Sequence, residues 1–170
     1  ATIVRSADGG QTWRTVALRA GTIESLTVDA RPGTVWATGT AGVLLTRDGG
    51  STWSTAGRAP GRYLGPVVTD ARHPGTVYVT AWQNGPWQSG LFRSADDGAS
   101  WKPFGTGDVV DDLVLDSRTP GTMYASDGFG IVRSPDGGAT WRRADAGIVA
   151  SGLNAVGLAA SNAATIYAGG

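Results

Sequence analysis

Short apolar runs alternate with polar, glycine-rich turns along the whole chain, and nowhere do apolar residues recur at the spacing of an amphipathic helix. Four kinds of run follow one another in a fixed order. The first comprises Ile23 to Val28, Leu64 to Val68, Leu113 to Leu115 and Leu153 to Leu158. The second is β-branched and aromatic and follows a turn: Thr34-Val35-Trp36-Ala37, Thr76-Val77-Tyr78-Val79, Thr122-Met123-Tyr124-Ala125 and Thr165-Ile166-Tyr167-Ala168. The third holds Ile3-Val4, Val43-Leu44-Leu45, Leu91-Phe92 and Ile131-Val132. The last begins at a Trp and is the most polar, as an outer edge strand should be. The pattern predicts an all-β repeat of four antiparallel strands, A to D, with A innermost.

The turn between strands C and D carries the strongest local signal. It reads Ser6-Ala7-Asp8-Gly9-Gly10-Gln11-Thr12-Trp13, then Thr46-Arg47-Asp48-Gly49-Gly50-Ser51-Thr52-Trp53, Ser94-Ala95-Asp96-Asp97-Gly98-Ala99-Ser100-Trp101 and Ser134-Pro135-Asp136-Gly137-Gly138-Ala139-Thr140-Trp141, its Asp residues 40, 48 and 40 positions apart. The glycines can take positive φ, and the Asp carboxylate can accept bonds from nearby backbone N–H groups. The Ser or Thr two residues earlier closes the strand and bonds into the same turn. Each Trp starts the return strand as a large apolar anchor and is expected to be largely buried between sheets. Acidic residues repeated at one slot read as turn formers rather than as catalysts or calcium ligands.

This octapeptide resembles the Asp-box, or bacterial neuraminidase repeat, S-x-D-x-G-x-T-W, and the resemblance implies a β-propeller of four-stranded antiparallel blades. The longer cadence, Val-Tyr-Ala followed by a glycine, an apolar residue, Arg-Ser and the box, is similar to xyloglucanase-type and sortilin-type propellers and to photosystem-assembly-factor-like bacterial proteins. The xyloglucanase type is much longer and spreads its catalytic pair over two propellers; neither catalytic residue maps onto a numbered position here. Sialidases also carry these boxes, together with an arginine cluster, a Tyr–Glu pair and a Phe-Arg-Ile-Pro motif, from which Phe92-Arg93-Ser94-Ala95 departs. The resemblance further implies an extracytoplasmic or secreted location.

The repeat phase divides the chain into a half-blade over 1–20, blades over 21–57, 58–105 and 106–146, and a half-blade over 147–170. Joining Thr165-Ile166-Tyr167-Ala168-Gly169-Gly170 to Ala1-Thr2-Ile3-Val4-Arg5-Ser6 reads like Thr34 to Thr46 with about one residue missing. The two half-blades are therefore expected to complete a blade, in a homodimer closing an eight-bladed ring by preference, or else within one chain as a four-bladed ring or with the remainder of a longer propeller chain.

Composition narrows the function classes. Fourteen basic and fourteen acidic residues cancel among 170, so no global field favours nucleic acid or an anionic membrane. No run of 18 apolar residues is present, and the absence of Cys removes disulfide and thiolate chemistry. Gly at 27 of 170 reads, beside regular apolar strands, as many tight turns. No cofactor and no metal are expected: His73, the single histidine, has no ligand set and reads as a surface turn residue.

In an A-to-D blade the A–B and C–D turns share one face, which leaves the B–C and D–A loops as the natural binding face. One loop stands out there. Thr34 to Asp48 and Thr122 to Asp136 are each 14 residues apart, whereas Thr76 to Asp96 is 20. The excess falls in Ala81-Trp82-Gln83-Asn84-Gly85-Pro86-Trp87-Gln88-Ser89. Trp82 and Trp87 with Gln83 and Asn84 resemble a carbohydrate platform, since aromatic faces stack on sugars and amides bond hydroxyls. The D–A loops add Arg58, Arg62 and Tyr63 on one side and Asp108, Asp111 and Asp112 on the other. Asp111 and Asp112 are the candidate catalytic carboxylates of a glycoside hydrolase, set against carboxylates that cap turns. Arg5, Arg93 and Arg133 share one strand-C slot, broken by Leu45, and are expected to stack on box Trp residues. The sequence thus points to a binding or interaction scaffold with a glycan or protein ligand. A glycoside hydrolase fragment and a purely structural assembly module are the alternatives.

Overall fold

The computed structural model describes residues 2–17, 21–82, 89–105, 110–149, 152–159 and 165–170. Three four-stranded antiparallel sheets succeed one another along the chain, flanked by a two-stranded sheet at either end. The first full sheet holds β3 (Ile23–Val28), β4 (Val35–Gly39), β5 (Gly42–Thr46) and β6 (Ser54–Thr55) in spatial order. The second holds β7 (Tyr63–Thr69), β8 (Val77–Trp82), β9 (Ser89–Ser94) and β10 (Lys102–Phe104). The third holds β11 (Asp112–Leu115), β12 (Met123–Ser126), β13 (Ile131–Ser134) and β14 (Arg142–Arg143). The end sheets pair β1 (Thr2–Arg5) with β2 (Arg14–Ala17), and β15 (Ala155–Leu158) with β16 (Ile166–Gly169). No helix occurs among the described residues. The four expected strand types are all present, in the expected order.

Stacking of the sheets explains why the second strand of each full sheet is buried along nearly its whole length, Thr38, Thr80 and Ser126 included. A strand covered on both faces buries side chains on each, so polar–apolar alternation gives way to a mostly apolar run. In β8, Val77, Val79 and Ala81 pack into a core with Trp36, Val43, Leu45 and Leu64, toward the first full sheet. Tyr78, between them in sequence, points the other way and joins Leu91, Leu113, Met123, Ala125 and Val132. A third core, Tyr124, Ile131 and Leu153, seats the third sheet against β15 and β16. The outer strands β6 and β14 are two exposed residues each, and so short a polar edge gives a neighbouring chain little to pair with. In β7 the register shifts between Leu64 and Val67, where Gly65-Pro66 would otherwise interrupt a regular ladder.

Candidate functional site

The box turns come first because they fix which face is which. In all four, the carboxylate is a two-armed acceptor for the residue four positions on. Thr12 N–H donates to Asp8 Oδ1 at 2.9 Å, Thr52 N–H to Asp48 at 2.9 Å, Ser100 N–H to Asp96 at 2.9 Å and Thr140 N–H to Asp136 at 2.8 Å. The hydroxyl of that same residue donates to the second oxygen in each. The leading Ser or Thr hydroxyl donates to the Asp and accepts from the second box glycine, at 2.7 Å for Gly10 N to Ser6 Oγ. These bonds, the side-chain hydroxyl foremost, hold Asp8, Asp96 and Asp136 at about 2, below the ordinary 3.8, and Asp48 lower still. Every oxygen is occupied by the turn itself, which suits a brace and leaves little for catalysis.

The box Trp residues differ from the sequence expectation. They precede the return strands by one residue, and only Trp101 and Trp141 also pack against the cores between sheets. Trp13, Trp53 and Trp141 each donate the indole N–H at 3.1 Å to the carbonyl of the second box glycine. A ring tied to an exposed turn stays partly exposed: Trp13 is 60% accessible, and Trp53, Trp101 and Trp141 are half-buried. Trp101 instead donates to the Ala56 carbonyl of the preceding sheet at 3.3 Å, and Trp141 packs on the core that holds Tyr78 and Leu91 of the sheet before it. The strand-C arginines likewise avoid the box Trp residues. Arg133 lies 5.9 Å from the Tyr124 ring, its partner across β12 and β13, and donates to the Tyr124 hydroxyl at 3.2 Å. Arg93 is register partner to Tyr78 in the same way. His73 is an exposed turn residue whose ring meets Asp70 at 2.8 Å.

Backbone bonds tie each A–B turn to the box of its own sheet: Gly49 N to Gly33 O at 2.8 Å, Asp97 N to Gly75 O at 3.0 Å and Gly137 N to Gly121 O at 2.7 Å. The B–C and D–A connections therefore lie at the other ends of the strands. There Tyr63 and Trp82 are register partners across β7 and β8, and Arg62 N–H donates to the Trp82 carbonyl at 3.0 Å. The Arg62 guanidinium sits 5.8 Å from the Tyr63 ring centre, and Tyr63 is 54% exposed. Trp82 is half-buried, its Cη2 near Gly65, where the missing side chain makes room chiefly for the Thr80 hydroxyl. Gln83, Asn84 and Trp87, with Asp108, lie outside the described residues. Arg58 lines a separate recess beside Phe92 and Trp101.

The two candidate carboxylates part company. Asp112 accepts from Leu113 N at 2.9 Å and from Val156 N at 3.0 Å, tying the third sheet to β15. Asp111 is partly buried, and that burial, with the charges of Asp127 and Asp112, pushes its carboxyl above the usual range. Asp127 pairs with Arg143 at 3.0 Å, and Arg143 meets Asp145 at 3.3 Å. Among the described residues no cluster of three or more His, Asp or Glu side chains is placed to hold a metal ion.

Sequence reasoning passed over a second repeated motif. Asp29-Ala30-Arg31, Asp70-Ala71-Arg72 and Asp116-Ser117-Arg118 each precede a Pro-Gly-Thr turn, and in each the Asp accepts the Arg N–H, at 3.0, 2.9 and 2.9 Å. Its signal was present, in phase with the boxes. Only the first of the three adds an indole: Trp36 Nε1 donates to Asp29 at 3.0 Å.

No protein-family model matches the chain, and no curated protein does. Solved structures do. A GH74 enzyme of Niastella koreensis superposes with a TM-score of 0.69 at 20% identity, over 98% of this chain and 25% of that one. The GH74 xyloglucanase of Xanthomonas campestris gives 0.64 at 20% identity, over 93% and 29%. YCF48 bound to D1 peptide gives 0.65 at 20% identity, over 94% and 53%. The chain thus spans between about a quarter and a half of these proteins' lengths. At such identities the likeness is one of fold, and the fold is the β-propeller, its four-stranded antiparallel sheets the blades.

Proposed function

We propose that the chain is a binding scaffold that presents a glycan-binding surface on the face opposite its Asp boxes. The observation that carries this reading is the exposed Tyr63 ring, paired with Trp82 and flanked by Arg62. Aromatic faces offer stacking area to sugar C–H faces, and a guanidinium offers donors to hydroxyls. Trp87, Gln83 and Asn84 belong to the same proposed surface by their place in the long B–C loop. Xyloglucan is the first probe, because one matched structure is a xyloglucanase. Binding by the wild type, lost in the Tyr63→Ala, Trp82→Ala double variant with an unchanged melting temperature, is the supporting outcome.

Two further readings have an observation each. A peptide ligand is favoured by the matched YCF48 structure, which is bound to one. A glycoside hydrolase is favoured by Asp111, whose raised carboxyl has the character of a general acid; xyloglucan turnover abolished by Asp111→Asn would select it. Asp112, bonded to two backbone N–H groups, then serves as a brace. For the end sheets we propose pairing of β16 with β1. Two copies would form an eight-bladed homodimer, and a longer chain would supply the missing strands itself.

A further inference from the structure

The grooves between successive sheets on the Asp-box face are built from the same repeated parts, and two of them differ by one carboxylate. In the groove between the first and second full sheets, Arg31 reaches across to Asp97, Nη1 to Oδ1 at 2.7 Å, and Arg47 approaches the other oxygen at 3.2 Å. Asp97 stands in the fourth box position at φ +56°, the only described non-glycine residue in the left-handed region. That conformation is costly for a side chain, so the ion pairs help to hold a residue that the backbone alone would refuse.

In the next groove the same slot is Gly137, at φ +71°. A Cβ built there would meet nothing within 4 Å, so the space of the missing carboxylate is open. Arg72, the counterpart of Arg31, donates instead to the Ser117 carbonyl. A cleft of about 420 Å³ lies between Arg72 and Gly137, walled by Tyr78, Phe104, Leu115 and Met123; Arg93, Asp70 and Asp116 also line it, Asp70 bonded to His73 and Asp116 to the Arg118 N–H. The Tyr78 and Phe104 rings form a tilted pair 5.1 Å apart, and Tyr78 and Met123 belong to the core beneath.

We propose that this cleft binds a small aromatic or branched-aliphatic monocarboxylate. Its carboxylate takes, against Arg72, the place that Asp97 holds against Arg31, and its apolar body lies on Tyr78, Phe104, Leu115 and Met123. Guanidinium–carboxylate pairing is the strong, directional contact such a site needs. The volume falls in the small-ligand range of roughly 300–1,000 Å³ rather than that of an extended groove. The chain itself supplies the template, since one groove carries in its own sequence the group that the other lacks. This site lies on the opposite face from the proposed glycan surface and stands or falls independently of it.

The test titrates the full chain with 3-phenylpropionate and with 3-phenylpropanol, which has the same body and no charge, following binding by calorimetry. The wild type should prefer the acid by at least about tenfold. Arg72→Ala should erase that preference and Arg72→Lys should retain part of it, with melting temperatures confirming that each folds. Gly137→Asp should abolish binding by filling the slot from within. Equal affinity for acid and alcohol, no saturable binding of either, or unchanged binding by Gly137→Asp would overturn the proposal. So would binding of a blocked Phe-Asp peptide in place of 3-phenylpropionate, which would make a protein segment the occupant.

Discussion

A box tryptophan contributes according to what its ring covers, and the four differ. Trp101 bonds the preceding sheet and packs on the first core, whereas Trp13 covers only its own turn. Truncating Trp101 to Ala should therefore cost about 3 kcal/mol and truncating Trp13 about 1 kcal/mol or less; equal losses in denaturant melts would contradict the placement. The box carboxylates carry a pH signature as well. Asp8, Asp96 and Asp136 sit at about 2 when folded against an ordinary 3.8. A depressed folded value means that the unfolded chain takes up protons first, so their contribution is complete above the ordinary value. It is lost as pH falls from about 4 toward about 2. Melting temperature should drop across that window, and Asp136→Asn should lower stability at neutral pH while making the drop shallower.

At the scale of the element, the strands were legible because their side chains obey one rule at a time. The second strands read as mostly apolar runs since both faces are covered, and the box turns spell out their own hydrogen bonds. Less legible was anything that depends on where a side chain goes after the backbone has turned. A Trp beside a turn can cover the turn or enter the core, and the residue type is the same in both cases. Asp111 and Asp112 are adjacent letters, yet one bonds two backbone N–H groups and the other stands beside Asp127. The Asp-x-Arg motif was visible in phase but carries no familiar spacing. Asp97 stands where the other boxes have glycine, and its ion pairs with Arg31 and Arg47 come from neighbouring turns remote in sequence. These imply a paired experiment. Asp97→Ala keeps the unfavourable φ and loses both pairs, whereas Asp97→Gly loses the pairs and relieves the backbone. The Gly variant should be the more stable of the two by about 1 kcal/mol; the reverse order would mean that φ at this position costs nothing.

At the scale of the molecule, a propeller divides its labour between faces. On the box face repeated backbone bonds brace the turns of each sheet, while the other bears the one insertion that breaks the repeat. Pairing of β16 with β1 between two copies predicts a molar mass near twice 17.4 kDa for this chain in dilute solution; a mass of one chain would rule out the homodimer. The account's central claim is that the unboxed face binds glycan through the Tyr63–Trp82 surface. The most direct measurement is the affinity for xyloglucan oligosaccharides of the wild type and of the Tyr63→Ala, Trp82→Ala variant, side by side. The account predicts saturable binding by the wild type and at least about a tenfold loss in the variant, as removal of two stacking rings requires. No binding by the wild type, or equal binding by both proteins, would contradict it.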